Sequence, residues 1–394
     1  MLGFQGVTTM KSVRLGIIGI GNMGSGHAEK IVAGKISRCE LTGVCDPASE
    51  KFSRYPNAKG FTRSEDLIQS GAVDAVLIAT PHYDHTTVGI DALQHGLHVL
   101  VEKPISVHKA DCERLIAAHK GPQQVFAAMF NQRTDPFYLK VRDLIRSGEL
   151  GRIRRINWII TNWFRTDAYY KLGAWRATWA GEGGGVLLNQ CPHNLDLFQW
   201  FFDMPKRVRA VCSFGRYHDI EVEDDVTAYF EYPDGATAVF ITSTGEAPGT
   251  NRLEVAGENG RLVLENDVIA FTKNETPMGE FSRAATKPFE MPPTKQLKFT
   301  FPDHGGQHLE VLQNFVDAIL DGKPLIAPAP EGIHSVELAN AMLFSSALNQ
   351  TIDLPLDGAA YEAHLKEKAA ASRFNKKEPR SHGQVVDLAS SFNR

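Results

Sequence analysis

No stretch of this sequence approaches the roughly 20 consecutive apolar residues that a membrane-spanning helix needs. Neither sign of charge dominates: 42 Lys and Arg face 46 Asp and Glu, for a net charge of −4. Such a balance offers no electrostatic reason to bind nucleic acid or an anionic membrane, and neither is expected as a partner. Cysteine is scarce, at five (Cys39, Cys45, Cys112, Cys191 and Cys212), and no CxxC spacing occurs. An odd, dispersed set argues against a disulfide framework or a zinc site and fits reduced thiols in a cytoplasm. Residues Met1 to Lys11 hold no long apolar segment and no twin arginine, so no secretory leader is expected there. Repeats and low-complexity tracts are missing as well.

What is present is typical of a soluble globular protein: 43% apolar and 22% charged residues in 394, enough for two or three domains of about 150 residues. Met10 reads as the natural start, with residues 1–9 as an exposed extension. From Val13 to about Phe130, short apolar strands alternate with amphipathic helices. The strands fall at Arg14–Ile18, Glu40–Cys45, Ala75–Ala79, His98–Val101 and Gln124–Ala128, and the helices at Gly24–Ala33, Ser64–Ser70, Thr86–His95 and Lys109–Lys120. That alternation predicts an α/β doubly wound parallel sheet over residues 10–131.

A helix at Pro136–Ser147 follows, and then longer strands: Ile153–Phe164, Arg207–Phe214, Val226–Tyr232, Thr237–Thr242, Arg252–Ala256 and Arg261–Glu265. Pro233-Asp234-Gly235 and Gly257-Glu258-Asn259-Gly260 are hairpin signals between neighbouring strands. Residues 132–365 therefore read as an α+β domain built on a large, open, mainly antiparallel sheet with one face under helices. Helical periodicity returns at Gln307–Asp321 and Ser335–Asn349, and 366–394 is a polar, Lys-rich surface arm.

The first strand runs into Gly19-Ile20-Gly21-Asn22-Met23-Gly24 and then a helix. In such a GxGxxG turn the first glycine permits the tight bend, and the second lets backbone approach a pyrophosphate. The third lets helix and strand pack closely, and the free N–H groups of the helix terminus face the phosphates. A bare glycine-rich turn would look the same, but Asp46 ends the next strand 22 residues beyond Gly24. A carboxylate there accepts the adenosine ribose hydroxyls and repels a 2′-phosphate, favouring NAD over NADP.

Three further blocks carry a resemblance. They are Glu102-Lys103-Pro104 at a strand end after Ala79-Thr80-Pro81-His82 and His85; Phe130-Asn131-Gln132-Arg133; and Gly183-Gly184-Gly185 leading to Asn189-Gln190-Cys191-Pro192-His193-Asn194-Leu195-Asp196. Together they resemble the Gfo/Idh/MocA family of glucose–fructose oxidoreductases, inositol dehydrogenases and their relatives. Phe315, Ala318-Ile319, Gly322 and Pro324 extend the likeness, which covers roughly residues 13–360. It implies a Rossmann domain followed by the open-sheet domain, with NAD held by Gly19, Gly21, Asn22, Met23, Gly24, Asp46, Thr80, Pro81, His85, Glu102, Lys103 and Asn131. It implies a catalytic Lys103 beside the nicotinamide, with Pro104 after a cis peptide bond, and a catalytic His193. A lysine fixed at a strand end can stabilise alkoxide character, and an imidazole can take the hydroxyl proton near neutral pH.

This chain departs from the family where Asn189 replaces an aspartate four residues before the histidine. If the segment is helical, Asn189 and His193 share a face, but an amide cannot exchange a proton. The base is then His193 or Lys103, and Asp196 reads as a supporting or helix-packing carboxylate. Between residues 163 and 182 lie Trp163, Tyr170, Lys171, Trp175 and Arg176, aromatic and basic groups suited to a pyranose. The substrate-binding set is Lys103, Trp163, Tyr170, Trp175, Arg176, Asn189, His193 and His304. His304 and His308 have HxxxH spacing but no third ligand, so no metal is expected.

The leading reading is NAD-dependent oxidation of a secondary hydroxyl of a sugar, glycoside or cyclic polyol to a ketone, with carbon 3 of a pyranoside as the first guess. A redox-neutral glycoside-cleaving enzyme that retains NAD and a non-catalytic dinucleotide sensor are the alternatives. The family resemblance also implies a homo-oligomer, a dimer or tetramer.

Overall fold

A computed structural model describes residues 11–173 and 175–372. The expected extension at 1–9, and residues 373–394 of the expected arm, lie outside the described residues.

The first sheet comprises β1 (Val13–Ile18), β2 (Cys39–Cys45), β3 (Lys59–Phe61), β4 (Ala75–Ile78), β5 (His98–Val101) and β6 (Phe126–Ala128). Helices α1 (Asn22–Val32), α2 (Ser64–Ile68), α3 (His82–Gln94) and α4 (Lys109–Ala117) connect them. All pairings are parallel, in the order β3-β2-β1-β4-β5-β6. In β1 and β4 every residue but Arg14 is buried, as expected of strands covered on both faces. Strand order reverses between β1 and β4, so the crevice beyond their carboxyl ends is where such sheets take ligands. The last strand is shorter than the apolar pattern predicts. Gln124 turns its amide to Leu93 O and Leu97 O (2.9 and 2.7 Å), so it braces the preceding turn.

Downstream come α5 (Pro136–Arg146), β7 (Ile153–Ile160), α6 (Asp167–Tyr170), α7 (Pro192–Phe202), β8 (Arg207–Phe214), β9 (Glu223–Glu231), β10 (Thr237–Ser243), β11 (Asn251–Gly257) and β12 (Gly260–Glu265). They are followed by β13 (Val268–Asn274), α8 (Met278–Ala284), β14 (Thr294–Thr300), α9 (Gln307–Asp321), α10 (Gly332–Leu348), β15 (Ile352–Asp353) and α11 (Gly358–Ala370). Nine strands form one sheet, ordered β14-β13-β12-β11-β7-β10-β9-β8-β15, in which only β7 and β10 are parallel. Alternation sets its two faces: Ile156, Trp158, Ile160, Phe230, Ala238, Phe240, Leu253 and Val255 point into a core shared with Phe198, Phe201 and Met342 from α7 and α10. The opposite face stays open, with Val211 64% and Tyr229 41% exposed.

Several boundaries differ from the sequence reading, each for a local reason. β7 stops at Ile160 rather than Phe164, because Thr161 Oγ1 accepts from Thr250 N (2.8 Å) where the ladder to β11 ends. β14, with sequence TKQLKFT, is an edge strand whose polar residues hide it from an apolar-run criterion. Residues 366–370 complete α11 and are not part of a surface arm. α9 follows the large sheet in sequence yet buries Val311, Leu312, Phe315 and Val316 against Val13, Leu15 and Ile17 of β1. Each such side chain, fully buried, contributes about 1.5–3 kcal/mol, so α9 belongs energetically to the first core. Among the described residues no helix is long and apolar enough to cross a membrane.

Candidate active site

The glycine turn between β1 and α1 is shaped by close backbone approach. Gly19 has φ +93°, and a Cβ there would stand 2.6 Å from Ala79 O; a Cβ at Gly24 would stand 1.9 Å from Gly19 O. A Cβ at Gly21, by contrast, would point into open space. Asn22 and Met23 open α1, which has no side-chain cap and no acid in its first turn. Its terminal N–H groups are thus presented to an anion. Asp46 ends this cradle, its carboxylate accepting from Ile20 N (2.9 Å) and Ala48 N (3.0 Å), with Lys51 Nζ at 2.8 Å.

Farther along the crevice, buried polar atoms without a protein partner gather at the expected positions: Thr80 Oγ1, Asn131 Oδ1, and both ring nitrogens of His193. Such atoms are costly to bury unless something else bonds them. With the open space at Gly21 they make a chain of residues that fits a dinucleotide from adenosine ribose to nicotinamide. Two members of the expected set are committed to the scaffold instead. His85 faces Pro104 O (2.8 Å) and Thr80 O (2.9 Å), tying the Lys103–Pro104 turn, whose peptide bond is cis, to the segment after β4 where Pro81 is the N-cap of α3. Glu102 receives His27 Nε2 (2.7 Å) and the Lys103 amide (3.2 Å). Burial would raise the Glu102 pKa, but the bond and charge of His27, with His308 and Lys103 nearby, bring it down to about 2.

Lys103 Nζ donates to the backbone carbonyl of Asn189 at 2.8 Å. Burial lowers its pKa, opposed by Glu102 and Glu182 and assisted by Arg176 and Arg165. His193 packs edge-on to Phe130 with ring centroids 6.2 Å apart. Burial, then the charge of Lys103, drives its pKa well below 6.5, so the ring is neutral at physiological pH. Asn189 and His193 do not share a helical face: α7 starts only at Pro192, with Cys191 as its N-cap. Asn189 sits in the preceding turn, its N–H bonded to Gly185 O (3.0 Å). Pro192 accounts for this, because proline suits the first helical position and breaks a helix running into it. The Cys191 thiol faces Thr242 Oγ1, and burial pushes its pKa to about 12, so it is a packing residue.

The triple-glycine turn is held by a group that sequence reading missed. Glu223 accepts from Gly185 N (2.8 Å) and Leu187 N (3.0 Å). Asp196 forms a two-bond fork with Arg133 (2.6 and 2.8 Å) and is fully buried, so it anchors α7. The aromatic loop divides. Arg176 donates to Tyr169 OH (2.9 Å) and lies over the Trp175 ring, which meets His82 edge-on at 5.4 Å. Trp163 donates to Asn194 (3.2 Å), whereas Tyr170 turns inward to Thr244 Oγ1 (2.7 Å) and packs on His218. Tyr170 is therefore a structural residue.

The His304 side chain is 56% exposed, paired with Asp135 (3.1 Å) and packed on Phe137. It precedes α9, so the HxxxH spacing is not helical, and among the described residues no cluster of His, Cys, Asp or Glu could hold a metal. His308 instead pairs with His27, ring centroids 5.7 Å apart, beside Glu102. His27, His82, Glu182 and Glu223 are among the residues that sequence reading left out of the site. The first lies one turn beyond Gly24, where helical spacing could have found it.

Comparisons with known proteins bear on the family and the fold. Residues 13–130 match the model of the oxidoreductase family with an NAD-binding Rossmann fold, and 138–263 match the GFO/IDH/MocA C-terminal domain. An inositol 2-dehydrogenase of Corynebacterium glutamicum is 35% identical over 148 residues, 36% of this chain and 44% of that protein. This match spans less than half the length of that relative. A myo-inositol 2-dehydrogenase of Thermotoga maritima is 24% identical over 81% of this chain and 92% of its own. Among solved structures, the WlbA dehydrogenase of Bordetella pertussis with NADH and UDP-GlcNAcA superposes with TM-score 0.72 at 24% identity, covering 88% of this chain and all of that one. A levoglucosan dehydrogenase with NADH gives 0.72 at 18% identity, over 87% and 99%. At these identities the structural likeness establishes the fold.

Proposed function

The chain belongs to the Gfo/Idh/MocA family, whose amino-terminal unit is an NAD-binding Rossmann domain, and from that premise we propose that it oxidises a secondary hydroxyl of a sugar, glycoside or cyclic polyol to a ketone. The observation that carries this reading is a buried, neutral imidazole with both nitrogens unpartnered, set beside a lysine tethered at the rim of the dinucleotide crevice. NAD, when bound, supplies the hydride acceptor. Asp46, the Gly19–Gly24 turn, Thr80 and Asn131 would hold it.

His193 takes the hydroxyl proton. Its pKa lies below the neutral range, so the ring is in the accepting form before substrate arrives. Lys103 keeps its proton and donates to the same oxygen as negative charge develops there. The Asn189 carbonyl fixes the ammonium direction. Trp175, Tyr169 and Arg176 offer an aromatic and cationic wall on which a pyranose can lie. Carbon 3 of a pyranoside is the first position to examine. The relatives act in their names on inositol or levoglucosan, or bind UDP-GlcNAcA, which supports a cyclic polyhydroxy substrate. We place the protein in the cytoplasm on its five free thiols, and assign its open sheet face to a homo-oligomer contact, dimer or tetramer.

The test is NADH formation from NAD across pyranosides, uronic acids, nucleotide sugars and inositols. Turnover with a cyclic polyol and a ketone product supports the reading. Glycoside cleavage without net NADH would replace it with the redox-neutral alternative.

A further inference from the structure

We propose that Glu182 is a positioning residue that carries, from seven residues upstream, the carboxylate role vacated at Asn189. Glu182 is 2% exposed and immediately precedes the triple glycine. Its Oε1 accepts from Asn189 Nδ2, and its Oε2 accepts from Ala177 N (2.6 Å). Both partners are donors, so the acceptor-only carboxylate satisfies them together, whereas a protonated acid would compete with one of them. The bond to Asn189 orients its amide: the nitrogen faces Glu182, and Oδ1 faces Tyr169 OH on the aromatic loop. One side chain thereby pins the loop, through Ala177, to the residue whose carbonyl tethers Lys103.

The charge matters because of what surrounds it. Lys103, Arg165 and Arg176 bring positive charge to this corner, with the neutral His82 and His193 beside them. Of the acids, Glu102 is committed to His27, and Glu223 to the glycine turn. Glu182, like Glu102, supports the charged form of Lys103. An aspartate at position 189, the residue whose carbonyl tethers Lys103, would place a carboxylate in the same corner.

This inference rests on the dehydrogenase reading only in its kinetic arm. The test is a charge relocation in the full-length protein: Glu182→Gln, Asn189→Asp, and both together. In Glu182→Gln, one of the two donors loses its acceptor and the charge is gone. In Asn189→Asp, two carboxylates meet. In the double variant, the amide introduced at position 182 can accept from Ala177 N and donate to the carboxylate introduced at position 189, so both bonds return with the charge moved.

Two readouts are taken. Acetic anhydride labelling of Lys103 across pH, read by mass spectrometry, should show its apparent pKa falling in Glu182→Gln and returning in the double variant. With a turned-over substrate, each single variant should lose about tenfold or more in kcat/KM, and the double should recover most of it. Unchanged Lys103 titration in Glu182→Gln, or a double variant no better than the worse single while its Tm equals wild type, would overturn the proposal. If no polyol gives NADH, the dehydrogenase reading fails separately and the labelling arm still decides this one.

Discussion

The glycine turn and the segment from Trp163 to Asp196 recognise different things by different means. In the first, backbone does the work: three glycines, a bare helix terminus and one carboxylate make a cradle in which no side chain except Asp46 need be specified. In the second, groups from distant parts of the chain hold one another: the Asn189 backbone carbonyl tethers Lys103, Glu182 holds the Asn189 amide, and Arg133 holds Asp196. A backbone site tolerates sequence change around fixed glycines. A side-chain network tolerates relocation, because a carboxylate that leaves one position can return from another part of the loop.

The comparison is sharpest where the two regions are broken separately. Arg133 is 1% exposed and bridges Asp196 on α7 to Glu331 ahead of α10. Arg133→Met leaves a buried carboxylate uncompensated and should cost about 3–5 kcal/mol in urea unfolding. Adding Asp196→Leu should recover much of that loss, since the pair is replaced by apolar contact. If Arg133→Met unfolds like wild type, the second region does not depend on its ion pairs.

A smaller effect distinguishes two glycines of the first region. Gly24→Ala forces a backbone collision and should destabilise by about 1–3 kcal/mol. Gly21→Ala meets nothing in the protein and should leave Tm alone while weakening NADH binding about tenfold or more, measured by nicotinamide fluorescence. Equal effects on Tm and affinity in both variants would erase the distinction between packing glycine and phosphate glycine.

The smallest effect is a displacement of the pH profile. With His193 depressed, proton acceptance persists below pH 6.5, so the acid limb of kcat/KM lies below that value. Lys103 must stay protonated, and burial lowers its pKa, so the alkaline limb falls below 10.5. An acid limb at or above 6.5 would remove His193 as the base.

Much of this was legible in the sequence because it is written in short local patterns. Strand–turn–helix periodicity located β1, the GxGxxG turn and Asp46, and the family resemblance pointed to Lys103 and His193. What stayed hidden depends on contacts between distant segments. His304 and His308 look like a helical pair until α9 starts at Gln307 and sends them apart. Asn189 looks like a partner of His193 on one helix until Pro192 starts that helix later. Tyr170 has the composition of a sugar-stacking residue, but the core at Thr244 claims it. Glu182 carries no motif at all, and only folding brings it onto Asn189.

The most direct test of the whole account measures NADH affinity and turnover in the same preparations of Lys103→Ala and His193→Ala. The two quantities should separate: NADH dissociation constants stay within a few fold of wild type, while kcat/KM for the polyol falls about 100-fold to 10,000-fold. Loss of affinity and turnover in parallel would contradict it, because these side chains would then be holding the cofactor and not moving the proton.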